Sequence, residues 1–415
     1  VFPLLVSPDG RRLITSEGTP FLLQADTPWM MFLRRSVAEA HEYLSTRNLQ
    51  GFTTMQVQLT GFLGMTDRNG HYPFGPENDF TKPDDLFFAH VDQVIDVAEA
   101  MGILMAIAPA WSGCCGEGWA GKLEDGSPRP INAHGPDGCR ALGEWLGARF
   151  AHRSNIMWIL GGDQDPYDAF EEIRALAGGL KAAAPHHLCT YHPSSSHSST
   201  DVYPHESWLD VNMTYTYFRG FPKCWNRAEA DVHEENLRQA RKLPRKPIYL
   251  GESTYEGEHD EMGSALQARK QAYGSMLSGG MGHAYGSRYW RMEDDFRDAL
   301  ALPGARSMVH LAELFTEVGW ADLRPAFCWE VLCSDEGWGL NDFAPTSYLK
   351  SRSIALAYVP SERVIQPAQG WQPMEWFDPT SGRRTPFRVG VWPGTNEDGD
   401  PDWVLILRGE PTEAR

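Results

Sequence analysis

Two short stretches set a carboxylate in the same local context. In "IMWILGGDQDP" a run fit for a buried strand reaches Gly161 and Gly162 and then Asp163; in "PIYLGESTYEG" another run reaches Gly251 and then Glu252. A pair of carboxyl groups facing one another is what glycoside hydrolysis requires: one protonates the leaving oxygen while the other attacks the anomeric carbon or activates water. The glycines before Asp163 are expected to leave space for a ligand to approach the backbone. Each stretch holds a second acid. Asp165 is followed by Pro166, which suits a first helical position, so Asp165 reads as the N-cap of "YDAFEEIRALAGGL". Glu256 lies further along its loop, where it could orient a neighbour or a sugar hydroxyl. Asp163 is therefore expected to be the acid/base, and Glu252, fixed at a strand end, the nucleophile.

What must position these groups is a set of strands opening on one face. Residues 21–290 alternate short apolar runs with amphipathic segments, and "FLLQAD", "FTTMQVQLT", "ILMAIAPAW", "NIMWILGGD", "HLCTYHP", "LDVNMTYT", "PIYLGES" and "GHAYGSRYW" read as strands. Helical patterns separate most of them. Ser36 opens one helix with a capping box, since Glu39 lies three residues on. Parallel strands joined by crossover helices predict a (β/α)8 barrel, an α/β fold over residues 1–320, whose catalytic groups sit at the C-terminal ends of the strands. By that rule Asp163 closes the fourth strand and Glu252 the seventh. Asp26, Trp29, Gln58, Trp111, His192, Tyr215, Tyr255, Tyr285 and Trp290 follow or end strands on the same face and are expected, with Glu256, to bind substrate; Arg288 is a candidate for an anionic aglycone. Aromatic rings there would stack on a sugar. Beyond about residue 320, "AFCWEVLC", "IALAYVP", "MEWFDPT" and "DWVLILR" follow one another with turns between them, predicting a small antiparallel β-sandwich over 321–415. Its Trp329, Trp338, Trp371, Trp376 and Trp403 read as core and interface.

Composition narrows the partners. Across 415 residues, 55 acidic side chains against 37 basic ones give a net charge of −18, which disfavours nucleic acid and anionic membrane. No run approaches 18 apolar residues, so no membrane span is expected. The opening residues lack a basic n-region and a cleavage site, and a soluble periplasmic or cytoplasmic protein fits either way. Seven cysteines cannot all pair and no C-x-x-C spacing occurs; the adjacent Cys114 and Cys115 read as loop thiols, and no metal or cofactor is called for. His186, His187, His192 and His197 raise a metal-dependent hydrolase without supplying H-E-x-x-H spacing, and no G-x-S-x-G elbow marks a serine esterase. A non-catalytic carbohydrate-binding protein would need neither Asp163 nor Glu252.

In this order, "LQADTPW", "GFTTMQVQ", "WILGGDQDP", "YLGESTYEG" and "GHAYGSRYW" resemble the apiosidase-like glycoside hydrolases of family 140, whose barrel is the domain of unknown function 4038. "WFDPTSGRRTPF" and "DWVLIL" resemble the β-sandwich, named for collagen binding, that is commonly appended to it. The resemblance implies release of a terminal apiose or similar furanosyl sugar from a plant glycan, with an aspartate acid/base falling on Asp163 and a glutamate nucleophile on Glu252. An arabinofuranosidase or another small-sugar glycosidase on the same barrel is the alternative. Family members often carry a Gln-Ser-Gly-His type segment after strand six; here residues 212–220 read "NMTYTYFRG", so the sugar or aglycone is expected to differ.

Overall fold

A computed structural model of the protein describes residues 1–166, 168–217, 231–326, 330–333 and 342–410. Each predicted barrel strand is present: β1 (Leu23–Asp26), β2 (Thr54–Gln58), β3 (Leu104–Ala108), β4 (Ile156–Gly161), β5 (Leu188–His192), β6 (Asn212–Tyr215), β7 (Ile248–Glu252) and β8 (Gly282–Tyr285). They form one parallel sheet in the order β5-β4-β3-β2-β1-β8-β7-β6. All are buried, as expected of strands with helices outside and a packed interior.

The crossover helices are α1 (Val37–Leu49), α2 (Asp85–Ala100), α3 (Pro130–Phe150), α4 (Phe170–Ala183), α5 (Val232–Ala240), α6 (Ala265–Leu277) and α7 (Pro303–Val318). Local chemistry sets their ends. The Ser36–Glu39 capping box starts α1, the Asp84 carboxylate accepts from the Leu86 and Phe87 amides at the start of α2, and left-handed Gly319 stops α7. In α2 the buried Phe87, Val91, Val94, Ile95 and Ala98 follow helical spacing and turn one face to the barrel.

Beyond Cys189, side chains join β5 to β6. The Ser199 hydroxyl, from the four-residue helix Ser199–Val202, donates to the Tyr191 carbonyl at 2.6 Å and accepts from the Met213 amide at 2.9 Å. The Thr190 hydroxyl donates to the Val211 carbonyl at 2.9 Å. The barrel is thus closed at this seam by hydroxyls standing in for a ladder.

The C-terminal part is a six-stranded sheet with antiparallel pairings: β9 (Arg324–Pro325), β10 (Thr346–Leu349), β11 (Ile354–Val359), β12 (Trp371–Phe377), β13 (Arg384–Pro386) and β14 (Trp403–Gly409), in the order β9-β10-β11-β14-β12-β13. Strand alternation divides it between two cores. Ile354, Leu356, Tyr358, Val404 and Ile406 join the barrel's core, whereas Ala355, Ala357, Val359, Trp371, Trp376, Trp403 and Leu407 pack on the other face. Trp329 and Trp338 lie outside the described residues. Arg269 of α6, wholly buried, meets both Asp402 carboxylate oxygens (2.8 and 2.9 Å) and Asp400 at 2.6 Å, and Tyr273 stacks on Tyr358 at 4.8 Å. Barrel and sheet are joined by apolar contact and by a buried ion pair.

Candidate active site

Asp163 owes its direction to the two glycines, though not in the expected way. Gly161 and Gly162 have φ of 83° and 136°, and a Cβ on them would come within 2.4 Å of the Tyr191 and Trp111 rings respectively. The room their missing side chains leave is filled by aromatic rings rather than by ligand. The chain then turns through a left-handed Asp163, φ 54°, which lifts its carboxyl into the barrel mouth. There Trp111 Nε1 donates to Oδ2 at 3.3 Å and the Tyr215 hydroxyl to Oδ1 at 3.2 Å.

Glu252 ends β7 opposite. Its strand is braced across the barrel interior, where Gln56 Nε2 donates to the Gly251 carbonyl at 2.7 Å and the Tyr249 hydroxyl donates to Gln56 Oε1 at 3.0 Å. The Glu252 carboxylate, 6% exposed, lies 2.7 Å from His192 Nε2. Tyr255 is a further hydrogen-bond partner of Glu252, and its hydroxyl accepts from Trp29 Nε1 at 2.6 Å. His192 is fully buried between the two acids. Its Nδ1 lies 3.2 Å from both the Asp163 amide nitrogen and the Pro193 carbonyl oxygen, and Trp29, Trp111 and Tyr215 surround the ring with centroids 6.3, 4.9 and 4.7 Å away. A carboxylate oxygen of Asp163, one of Glu252 and a nitrogen of His192 all lie within 4.8 Å of one another.

The surroundings treat the groups differently. Burial, reinforced by the charge of Glu252, pushes the Asp163 carboxyl up to about 7, against the pull of His192 and of the Tyr215 hydrogen bond. Burial works against a charged His192, but the hydrogen bond and charge of Glu252 outweigh it and hold the ring above the ordinary histidine value. Near neutral pH the site therefore holds a proton on one carboxyl, beside a second that faces a histidine.

A cavity of about 430 Å³ opens above this pair. Of the residues expected to bind substrate, Trp29, Gln58, Trp111, Tyr215, Tyr255 and Trp290 line it, together with Asp163 and Glu252. Gln58 is 2% exposed, and its Oε1 has no hydrogen-bond partner among the described residues, a buried acceptor pointing to a ligand donor.

Three expected contacts lie elsewhere. Asp26 is taken by Arg47, whose Nε lies 2.6 Å from Oδ2, and by the Tyr43 hydroxyl at 2.5 Å. Glu256 accepts from the Tyr285 hydroxyl at 2.6 Å and the Gly304 amide at 3.0 Å, so Glu256 and Tyr285 satisfy each other at the start of α7, away from the cavity. Asp165 is not a helix cap: α4 begins at Phe170 after Ala169, and Asp165 instead bonds the Ser194 amide at 3.0 Å and His197 Nδ1 at 2.7 Å, tying the loop after β4 to the loop after β5. Exposed Arg288 lies over the Tyr289 ring and does not line the cavity. The histidines do not converge. His186 and His187 both approach the Arg153 carbonyl, His192 meets Glu252, and His197 meets Asp165.

The cavity is also lined by residues not expected to bind substrate: Phe62, Gln164, Ser194, Ser195, Tyr217, Glu258 and His259, together with Cys114 and Cys115, which read only as loop thiols. Glu258 is the most consequential, since it accepts from Trp290 Nε1 at 2.8 Å and from the Tyr217 hydroxyl, placing a third acid on the rim. Its signal was weak. Glu258 lies past the strand-end motif, in a loop whose direction depends on left-handed His259 and Asp260.

The family model of the apiosidase-like catalytic domain matches residues 7–322. Among solved structures, one described as a glycoside hydrolase is 24% identical with a TM-score of 0.84, covering 98% of this chain and 97% of its own. A glycoside hydrolase family 5 protein from Bacteroides vulgatus is 24% identical with a TM-score of 0.81, covering 99% and 95%. An endo-1,4-beta-mannanase from Rhizomucor miehei, 12% identical with a TM-score of 0.52, covers 72% of this chain and 99% of its own, and shares the fold alone. Among curated proteins none matches the sequence.

Proposed function

The chain belongs to the apiosidase-like family of catalytic domains and is a glycoside hydrolase; from that premise we propose that it is a retaining, exo-acting enzyme that removes a terminal furanosyl sugar, apiose or a close relative, from a plant glycan or glycoside. The observation that carries the reading is the Asp163–Glu252 pair. One oxygen of each carboxyl lies within 4.8 Å of the other, a close approach that favours the roughly 5–5.5 Å carboxyl spacing of double displacement over the roughly 6.5–9.5 Å that leaves room for an attacking water.

In this mechanism the Glu252 carboxylate attacks the anomeric carbon as the bond to the leaving oxygen breaks, and Asp163 gives that oxygen its proton. Asp163, now ionised, takes a proton from water, whose oxygen displaces Glu252 and returns the sugar with its original configuration. An acid held up at about 7 suits both halves, being protonated for the first and basic enough for the second. His192 and Tyr255 hold the nucleophile in place through their hydrogen bonds. Exo action is supported by the form of the site. Its volume of about 430 Å³ lies at the lower end of the roughly 300–1,000 Å³ of small-molecule pockets, and rings of Trp29, Trp111, Tyr215 and Trp290 wall it.

The test is a panel of aryl apiosides and arabinofuranosides with wild type, Asp163→Asn and Glu252→Gln. Wild type should release sugar with retained configuration, and each variant should lose at least roughly 100-fold in turnover. A mechanism-based fluoro-sugar should label Glu252. Inverted product rejects the mechanism, and hydrolysis unaffected by either substitution rejects the site.

A further inference from the structure

The loop after β3 presents a cluster that glycoside hydrolysis does not use. Cys114 Sγ lies 2.7 Å from Cys115 Sγ and 3.8 Å from Glu117 Oε1, and one ligand atom from each of the three falls within 4.8 Å of the others. Both thiols line the cavity that contains Asp163. The loop is shaped to present them. Buried Arg129 gathers the carbonyls of Gly116, Gly118 and Lys122 at 2.8, 2.5 and 3.1 Å, and Leu63 N–H donates to the Glu117 carbonyl at 2.9 Å. Gly118 is pressed so closely on Ser112 that a Cβ would lie 1.7 Å from its carbonyl oxygen, which pinches the loop shut. Cys115 is left-handed at φ 52°, so two adjacent side chains can face the same side.

We propose that Cys114, Cys115 and Glu117 form a binding site for a thiophilic divalent cation, zinc or cadmium, at the mouth of the cavity. Two sulfurs and one carboxylate oxygen are a donor set that prefers such ions to magnesium or calcium, and three protein ligands leave a fourth position for water or a substrate oxygen. Glu117 has no ion-pair partner among the described residues. Around a tetrahedral zinc the sulfurs would stand about 3.7 Å apart; rotation of either cysteine about χ1 supplies that change while Arg129 keeps the backbone fixed. The site has a consequence for catalysis that rests on the proposed role of the cavity. Binding through two thiolates releases two protons and leaves the local charge unchanged, so the effect is steric: the ion and its fourth ligand stand at the cavity mouth, obstruct the sugar, and so make occupancy inhibitory.

The experiment titrates fully reduced protein with cadmium and follows thiolate-to-metal charge-transfer absorption, with zinc followed by calorimetry. One equivalent should bind in wild type and in Cys333→Ser, which removes an exposed cysteine elsewhere. The equivalent should be lost in the Cys114→Ser/Cys115→Ser double variant, and affinity should fall roughly tenfold or more in Glu117→Gln. Should the double variant fail to fold, either single serine variant, with half the sulfur donors, must show the same loss. Cadmium binding unchanged by these substitutions overturns the site. Activity supplies a separate readout: zinc should inhibit wild type, and the double variant should resist it. Lost binding together with unchanged inhibition would overturn the obstruction of the cavity, leaving the metal site standing.

Discussion

Replacing Tyr215 by phenylalanine should move the alkaline limb of activity upward. The Tyr215 hydroxyl donates to Asp163 Oδ1 at 3.2 Å, a bond that favours the ionised carboxyl and holds its pKa below the value burial and Glu252 would otherwise set. Hydrogen bonds to charged groups contribute roughly 1.5–3 kcal/mol, and 3.2 Å is long for an O–H donor, so the lower end applies. That is about one pKa unit. The Asp163 titration should therefore rise from about 7 in wild type to roughly 8 in the variant. The measurement is kcat/KM for an aryl glycoside across neutral and alkaline pH. Wild-type activity should fall tenfold per unit above its inflection, and the variant's fall should begin about one unit later. Tyr215 also faces the cavity, so the plateau itself can drop. The inflection remains diagnostic because kcat/KM reports groups of the free enzyme. The tyrosine cannot mimic the limb, since burial pushes its own pKa well above the ordinary value. An inflection that stays put or moves down would refute Asp163 as the proton donor.

Three further outcomes follow from the same geometry. Because folding raises the Asp163 pKa from 3.8 to about 7, the folded protein keeps a proton that the unfolded chain has lost, so wild-type stability falls as pH rises through that window; Asp163→Asn should lack this slope and gain about 3 kcal/mol on wild type between the two ends, a figure discounted for the carboxyl's contact with cavity water, and parallel urea-denaturation curves across the window would contradict it. Asp26→Ala should cost about 3–5 kcal/mol by stranding the buried Arg47, while leaving KM unchanged at temperatures where the protein stays folded; a raised KM without lost stability would return Asp26 to the binding site. Removing the C-terminal sheet should leave the barrel insoluble or unfolded by circular dichroism, because Arg269 then loses Asp400 and Asp402 and Tyr273 loses Tyr358; a folded, fully active barrel would refute the shared core.

The barrel was legible because parallel strands cannot connect without crossovers, and the chain writes that alternation in its hydrophobic spacing. The strand-end rule placed Asp163 and Glu252 correctly at the mouth, since it depends only on where a strand stops. The same rule failed for Asp26, Glu256 and Tyr285. Position along a strand says which end of the barrel a side chain occupies, but not whether a neighbouring helix will claim it. Arg47 from α1 claims Asp26, and the first turn of α7 claims Glu256, partners distant in sequence. The Asp165 cap was misread for a local reason, because Pro166 signals a helix start, yet the backbone turns at Asp163 and α4 begins at Phe170. Glu258 and Tyr217 were hidden, and Cys114 and Cys115 were seen only as loop thiols, because the directions of these side chains come from left-handed residues and from Arg129, which leave no periodic trace.

The seam between β5 and β6 bears on how the barrel can assemble. Bringing distant parts of a chain together costs more entropy the longer the intervening loop, though the cost grows slowly. The longest closure in this sheet joins β1 to β8, and there backbone bonds to backbone over a full ladder from Leu23–Gly282 to Asp26–Tyr285. The hydroxyl-mediated join falls instead between Tyr191 and Met213, on the two successive strands that the shortest connection in the barrel, residues 193–211, already keeps close. Strong pairing thus stands where the chain must be held against its greatest loss of freedom, and the substitute pairing stands where tethering does most of that work.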